Sequence, residues 1–183
     1  MEYLILGLLS LSPMNGYELQ QFIKQNLALI CSHSAGSVQT ALVKLEREGH
    51  VTAVETIQGK RRKKTFSITE TGRAAFSAWV AHPMQADKVK NMELSRLFFL
   101  GLAKPEERTA AIGDYVRQME QMEWALRGIR ERFHQIQQAP LPPGQDWEEI
   151  FRFQGYTIDY GIAAAQFEQN WYRQLLCELE EQP

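Results

Sequence analysis

Five cationic side chains stand in a row at Lys60, Arg61, Arg62, Lys63 and Lys64. Residues of this type at this density suit one kind of chemistry: each ammonium or guanidinium can neutralise a phosphate and release the counterion condensed on it. Gln58-Gly59 precedes the run as a turn signal. Val51, Val54 and Ile57 on one side and Phe66, Ile68 and Thr69 on the other predict a hairpin with the basic residues at its tip. A solvated turn with no partner is the plainer reading of such a run, but the segment just upstream argues against it. Val38, Ala41, Leu42 and Leu45 recur at spacings of 3, 1 and 3, one buried helical face, and leave Gln39, Thr40, Val43, Lys44 and Arg47 outward. Short polar side chains on a helix can reach base edges in the major groove while a cationic hairpin beside it holds the backbone. Double-stranded DNA is therefore the expected partner. Ser37, Gln39, Thr40 and Lys44 are the expected groove contacts, and Lys60 to Lys64 the expected phosphate contacts.

The elements around these residues follow from local signals. Ser34, Ala35 and Gly36 can start the helix, and Gly49 can end it in a left-handed cap. Glu2 to Ser10 is apolar on a helical period, with Tyr3, Leu4, Ile5, Leu8 and Leu9 inward, and Ser12-Pro13 breaks it. Asn15 with Glu18 three residues later has the form of a capping box, opening a helix that turns Leu19, Phe22 and Ile23 inward and ends near Asn26. Thr69 is placed to cap a helix from Glu70 to about Ala81, with Ala74, Ala75, Ala78 and Trp79 available to pack back. Helix, helix, helix, hairpin and helix make a winged helix-turn-helix domain over residues 1–82.

Residues 83–183 read differently. Leu94, Leu97, Phe98, Leu100 and Gly101 form an apolar helix ahead of Pro105, which suits the first turn of a longer one. Ile112, Tyr115, Met119, Met122, Leu126, Ile129, Phe133 and Ile136 then repeat at 3 and 4 alternately, a heptad seam. At 1.5 Å per residue such a helix is about 50 Å long and needs a partner helix. Pro140, Pro142, Pro143 and Gly144 make a turn, and Asp146, with Glu149 in the capping-box position, starts that partner. It carries two stripes. Ile150, Phe153, Thr157, Tyr160, Ala164, Phe167 and Trp171 have the spacing to pair with the first seam; Trp147, Phe151, Ile158, Ile162, Ala165, Tyr172, Leu176 and Leu179 lie on another side. One stripe can be satisfied within the chain, and the surplus is most economically covered by a second copy. Ile112, Met119, Leu126, Phe133, Ile158, Ile162, Trp171 and Leu176 are the expected homodimer contacts. The aromatic residues Trp124, Trp147, Phe151, Tyr156 and Tyr160 are a candidate pocket for a small aromatic effector, against the simpler reading that they are dimer core. The fold class expected is mainly α with a small two-stranded β wing, followed by a long antiparallel helical dimerisation arm.

Composition excludes several other functions. With 183 residues, 44% hydrophobic and 23% charged, the chain has the content of an ordinary folded protein. Residues 1–82 hold 9 Lys and Arg against 6 Asp and Glu, whereas 83–183 hold 11 against 16, so the basic surplus lies with the hairpin. Cys31 and Cys177 lack a C-x-x-C spacing, and His33, His50, His82 and His134 lack ligand spacing, so no metal site is expected. Cys31 could in principle sense redox state, although a buried or inert thiol is the simpler reading. No phosphate loop, nucleophile elbow or paired carboxylates appear, so no catalytic residue and no cofactor is expected. No apolar run approaches a membrane span, and Met1-Glu2 leads straight into Leu4-Ile5-Leu6 without a signal peptide, which points to the cytoplasm. A protein-docking module built on the same coiled coil is the alternative to a DNA-binding protein; it would show no salt-dependent DNA binding.

Several of these motifs together resemble one family. Leu6-Gly7-Leu8-Leu9, Pro13-Met14-Asn15-Gly16-Tyr17-Glu18-Leu19, Gly36-Ser37-Val38 with Ala41-Leu42, Leu45-Glu46-Arg47-Glu48-Gly49 and Ile68-Thr69-Glu70-Thr71-Gly72-Arg73 are similar to the N-terminal domain of the PadR family of bacterial transcriptional regulators. The likeness spans about residues 3–80. It implies a dimeric winged-helix repressor whose helix containing Ser37 to Arg47 enters the major groove, some relatives responding to phenolic acids or drugs. This chain has Gln39 and Thr40 where the family usually has Tyr and Pro, and its wing has a continuous basic run where a Pro is common.

Overall fold

The protein is known from a computed structural model, which describes residues 1–27, 35–58, 61–84 and 92–181, the side chains of 57, 58, 61, 62 and 92 excepted. It divides into two compact units, Met1–Ala86 and Asp87–Pro183. Cys31, His33, Ser34, Gly59 and Lys60, and the side chains of Arg61 and Arg62, lie outside the described residues.

The first unit is built from α1 (Glu2–Leu11), β1 (Met14–Asn15), α2 (Gly16–Asn26), α3 (Ala35–Arg47), β2 (Val51–Gln58), β3 (Arg61–Ile68) and α4 (Glu70–Val80). Local chemistry sets its corners. The Asn15 side chain accepts from the Glu18 amide at 2.9 Å while Glu18 accepts from the Asn15 amide at 2.9 Å, the reciprocal box expected at the start of α2. Gly49 has φ +75°, and the amides of Gly49 and His50 donate to the carbonyls of Glu46 and Leu45, closing α3 in a Schellman turn. Thr69 Oγ1 accepts from the Gly72 amide at 3.0 Å and donates to the Gly49 carbonyl at 2.8 Å, tying the start of α4 to the end of α3. Gly72 lies so close to the His50 carbonyl oxygen that a Cβ would sit 2.1 Å from it.

The core of this unit collects Ile5, Leu6, Leu8 and Leu9 of α1, Leu19 and Ile23 of α2, Val38, Ala41, Leu42 and Leu45 of α3, and Val51, Phe66 and Ile68 of the sheet. Tyr3 instead stacks on Trp79 near the surface, centroids 4.9 Å apart. Of the α4 residues expected to pack inward, Ala74, Ala78 and Trp79 are exposed and Ala75 is half-buried. Phe76 makes that contact, lying 3.0 Å from where a Cβ on Gly7 would be. The sheet has three antiparallel strands in the order β1-β3-β2, so Met14 and Asn15 add a short strand to the expected two, paired with Phe66 and Thr65.

The second unit contains α5 (Met92–Phe99), a 3-10 turn (Leu100–Leu102), α6 (Pro105–Gln137) and α7 (Trp147–Glu181). Pro105 occupies the first turn of α6, and the Lys104 amide donates to Glu107 at 3.0 Å. Asp146 accepts from the Glu149 amide at 3.1 Å, as a cap on α7 should. The two long helices pack on each other, with Ile112, Val116 and Tyr172 buried and Leu97 and Leu100 of the preceding segment against them. The stripe of α7 that faces inward is Phe151, Ala165 and Tyr172, with Ile158, Ile162, Leu176 and Leu179 partly covered. That reverses the pairing expected first: Phe153, Tyr160, Phe167 and Trp171 are exposed. The reason lies in two positions that an apolar pattern passes over. Gly155 and Gln169 are both buried, and including them makes 151, 155, 158, 162, 165, 169, 172, 176 and 179 an unbroken heptad seam.

Candidate nucleic-acid interface

The exposed face of α3 carries Gln39, Thr40, Val43 and Arg47, because the four apolar residues on the other side are committed to the core. Ser37 is half-buried beside them. Lys44 is half-buried too, and its ammonium is held by both carboxylate oxygens of Glu2, at 2.9 and 2.8 Å, which raises its pKa; Glu48 stands 4.0 Å away. Lys44, an expected groove contact, is thus paired within the unit in this structure. Its side chain reaches back to α1, a partner 42 positions away that no local pattern could reveal.

The hairpin differs from the expected basic loop as well. Arg61 to Lys64 are part of β3, with Gln58 opposite Arg61, Thr56 opposite Lys63 and Glu55 opposite Lys64, so only residues 59 and 60 connect the strands. A two-residue connection is the commonest one for a hairpin, which lets the ladder run on into the basic segment. In a strand, neighbouring side chains point to opposite faces. Lys63 accordingly reaches Glu18 of α2 at 3.1 Å, and Lys64 reaches Glu46 of α3 at 2.8 Å while lying 5.2 Å from the centre of the Phe66 ring. Glu18 is held below the usual carboxylate range, first by the Asn15 amide and then by Lys63. Glu2, Glu18 and Glu46 are the residues that sequence reasoning missed here.

The five aromatic residues expected around an effector are not gathered within one chain. Trp147 and Phe151 pack together, 5.6 Å between centroids, with Phe133 edge-on to Phe151. Tyr156 lies edge-on to Phe153, Tyr160 is 74% exposed, and Trp124 is 80% exposed beside Arg117, Glu120 and Gln121. A cleft of about 330 Å³ opens in the second unit among Arg96, Leu97, Leu100, Ile112, Tyr115 and Tyr172, none of them in the expected set. Cys177 is an exposed free thiol. Among the described residues no group of His, Cys, Asp and Glu could hold a metal ion, and no helix is long and apolar enough to cross a membrane.

Residues 5–78 match the Transcriptional regulator PadR-like family. The chain carries a PadR-like transcriptional-regulator domain. The Negative transcriptional regulator PadR of Bacillus subtilis (strain 168) is 27% identical over 134 residues, 72% of this chain and 74% of that protein. The crystal structure of Bacillus subtilis PadR in complex with operator DNA is similar with a TM-score of 0.78 and 23% identity, covering 97% of this chain and 98% of that one. The same protein in complex with p-coumaric acid is similar with a TM-score of 0.74 and 20% identity, covering 98% of each chain. The likeness therefore extends past the PadR-like domain into the long helices, and the expected winged helix with a C-terminal helical region is the fold found. PadR-like regulators act on transcription and are not enzymes, in keeping with a sequence that offered no catalytic constellation.

Proposed function

We propose that this PadR-like protein is a cytoplasmic transcriptional repressor that binds operator DNA as a homodimer and is released by a small aromatic effector. The observation that carries the reading is the polar, exposed face of α3 set beside a hairpin whose β3 strand is basic, in a domain matched over residues 5–78. In this reading Ser37, Gln39 and Thr40 read base edges and Lys60 to Lys64 hold phosphate. Lys44 joins them only by leaving Glu2.

Dimerisation is the role of the second unit. Two copies joined there would offer two α3 helices to half-sites about one helical turn, or 34 Å, apart. The aromatic face of α7 that one chain leaves exposed supplies the surface, so Phe153, Tyr160 and Phe167 join Trp171 of the expected contacts, whereas Ile112, Leu126 and Phe133 are already buried within one chain. Trp124, Tyr156 and Tyr160 would then be gathered only by the second copy, and an effector pocket would form there too. The repressor and effector assignments draw on the relatives: one is named a negative regulator and was crystallised with operator DNA and with p-coumaric acid.

The test is a gel shift with DNA from upstream of the protein's own gene. A salt-dependent shift at defined half-sites is expected, weakened on all DNA by changing Arg61 and Arg62 to Ala and redirected in sequence preference by Gln39→Ala. Titration with p-coumaric acid should quench Trp fluorescence and weaken the shift together. A protein with no salt-dependent shift would be the docking module instead.

A further inference from the structure

The three lysines of α3 and the wing whose side chains are described each meet a carboxylate of the same unit: Lys44 meets Glu2, Lys63 meets Glu18 and Lys64 meets Glu46. A run of cations destined for phosphate would gain most by standing in solvent with only diffuse counterions. Lys63 and Lys64 instead alternate across the ladder, and an acid waits at contact distance on each side, from α2 and from α3. Glu46 itself belongs to α3, so its charge stands on the proposed recognition helix. We propose that Glu18 and Glu46 are built-in counter-anions that hold Lys63 and Lys64 back from phosphate and thereby set the strength and salt dependence of DNA binding.

The inference rests on the DNA-binding reading above and adds a mechanism to it. When DNA takes a lysine from its carboxylate, one ion pair replaces another. The bared carboxylate recruits a cation as the phosphate loses one, so the net ion release per contact falls below that of an unpaired lysine. The carboxylate also repels the incoming phosphates. Both effects lower affinity for any duplex, which favours sites where α3 adds base contacts over sites where it does not.

The experiment uses the full chain and a labelled duplex from upstream of its gene, with affinity read by fluorescence anisotropy across a range of salt. Glu18→Gln keeps a side chain able to complete the Asn15 capping box and removes only the charge. Glu46→Gln does the same on α3, where no cap depends on it, and serves if the first variant fails to fold. Each should tighten binding about two- to fivefold, the range an exposed ion pair spans. Each should also steepen the logarithmic salt slope by up to about one. In a Lys63→Gln background the gain from Glu18→Gln should shrink to the part owed to repulsion alone, and Lys64→Gln should shrink the gain from Glu46→Gln likewise. Unchanged or weaker binding in the glutamine variants, or gains of equal size with and without the lysine, would overturn the proposal while leaving DNA binding intact. An unaltered protein with no salt-dependent binding would overturn both.

Discussion

The two units bury their apolar residues by different rules. In Met1–Ala86 thirteen hydrophobic residues from α1, α2, α3 and the sheet form one buried cluster, and of the large exposed ones Tyr3 and Trp79 cover each other by stacking. In Asp87–Pro183 the corresponding cluster is Ile112, Val116 and Tyr172 with partly covered neighbours, while Phe98, Phe99, Leu102, Trp124, Phe153, Tyr156, Tyr160 and Phe167 stay exposed. Two helices crossing side by side can cover one face each and no more. The contrast teaches that the first unit gathers its apolar residues into one core, whereas the second leaves large aromatic side chains uncovered, and the proposed dimer rests on those.

The sharpest way to break this contrast is to damage the finished core. Leu42→Ala, at a side chain 1% exposed, should cost about 2–5 kcal/mol. Gly72→Ala should cost about 3 kcal/mol, because the His50 carbonyl that its Cβ would strike is backbone and has little room to yield. Trp79 is the one tryptophan in the first unit, so urea unfolding followed by its fluorescence in a chain with Trp124, Trp147 and Trp171 replaced by Phe should show the loss. Equal destabilisation by an exposed-site control such as Thr52→Ala would contradict it.

The next largest effect lies on the exposed aromatic face. Tyr160→Glu with Phe167→Glu changes side chains 74% and 68% exposed in one chain, so helicity by circular dichroism should hold. Self-association should weaken about a hundredfold, the scale of two aromatic anchors at an interface. Sedimentation velocity at micromolar concentration reads the outcome. A wild-type chain that sediments as a monomer, or a variant that stays dimeric, would remove the second copy from this face.

The same contrast explains what could be read from residues alone. Asn15 with Glu18, Gly49 and Thr69 announce their corners because a cap is a local hydrogen bond, and all three caps are where the sequence puts them. Val38, Ala41, Leu42 and Leu45 are legible for a similar reason, since one helix turns one face to one core. In the second unit the same pattern-reading chose the wrong stripe of α7. Phe153, Tyr160 and Phe167 look more like core than Gly155 and Gln169 do, yet Gly155 makes room for the Arg130 guanidinium, which pairs with Asp159 at 3.1 Å. Periodicity gives the stripes of a helix but not which neighbour each one meets. The pairs of Lys44, Lys63 and Lys64 were hidden likewise, being contacts across 18 to 45 positions.

A smaller effect tests the caps. Thr69→Ala removes the oxygen that accepts from Gly72 and the hydroxyl that donates to Gly49, and should cost about 1 kcal/mol, read again from Trp79. Thr69→Ser should restore most of it.

The smallest effect concerns a polar layer inside the seam of the second unit. Gln169, 5% exposed, donates through Nε2 to the Met119 carbonyl at 3.2 Å and to Glu123 at 2.8 Å, and Gln166 and Arg127 complete the shell of Glu123. Gln169 first, then Arg127 and Gln166, hold the Glu123 carboxyl below the usual range. A carboxylate with a depressed folded-state pKa adds stability above its unfolded pKa and loses it as pH falls through the folded one. The loss therefore belongs to acid pH, below the ordinary carboxylate range of about 4.3. Glu123→Gln should flatten that part of the pH dependence of unfolding for the second unit while leaving the Trp79 transition of the first unchanged. An unchanged acid slope would mean that this layer sets the register of α6 on α7 without contributing through its charge, as single polar residues do in other helical seams.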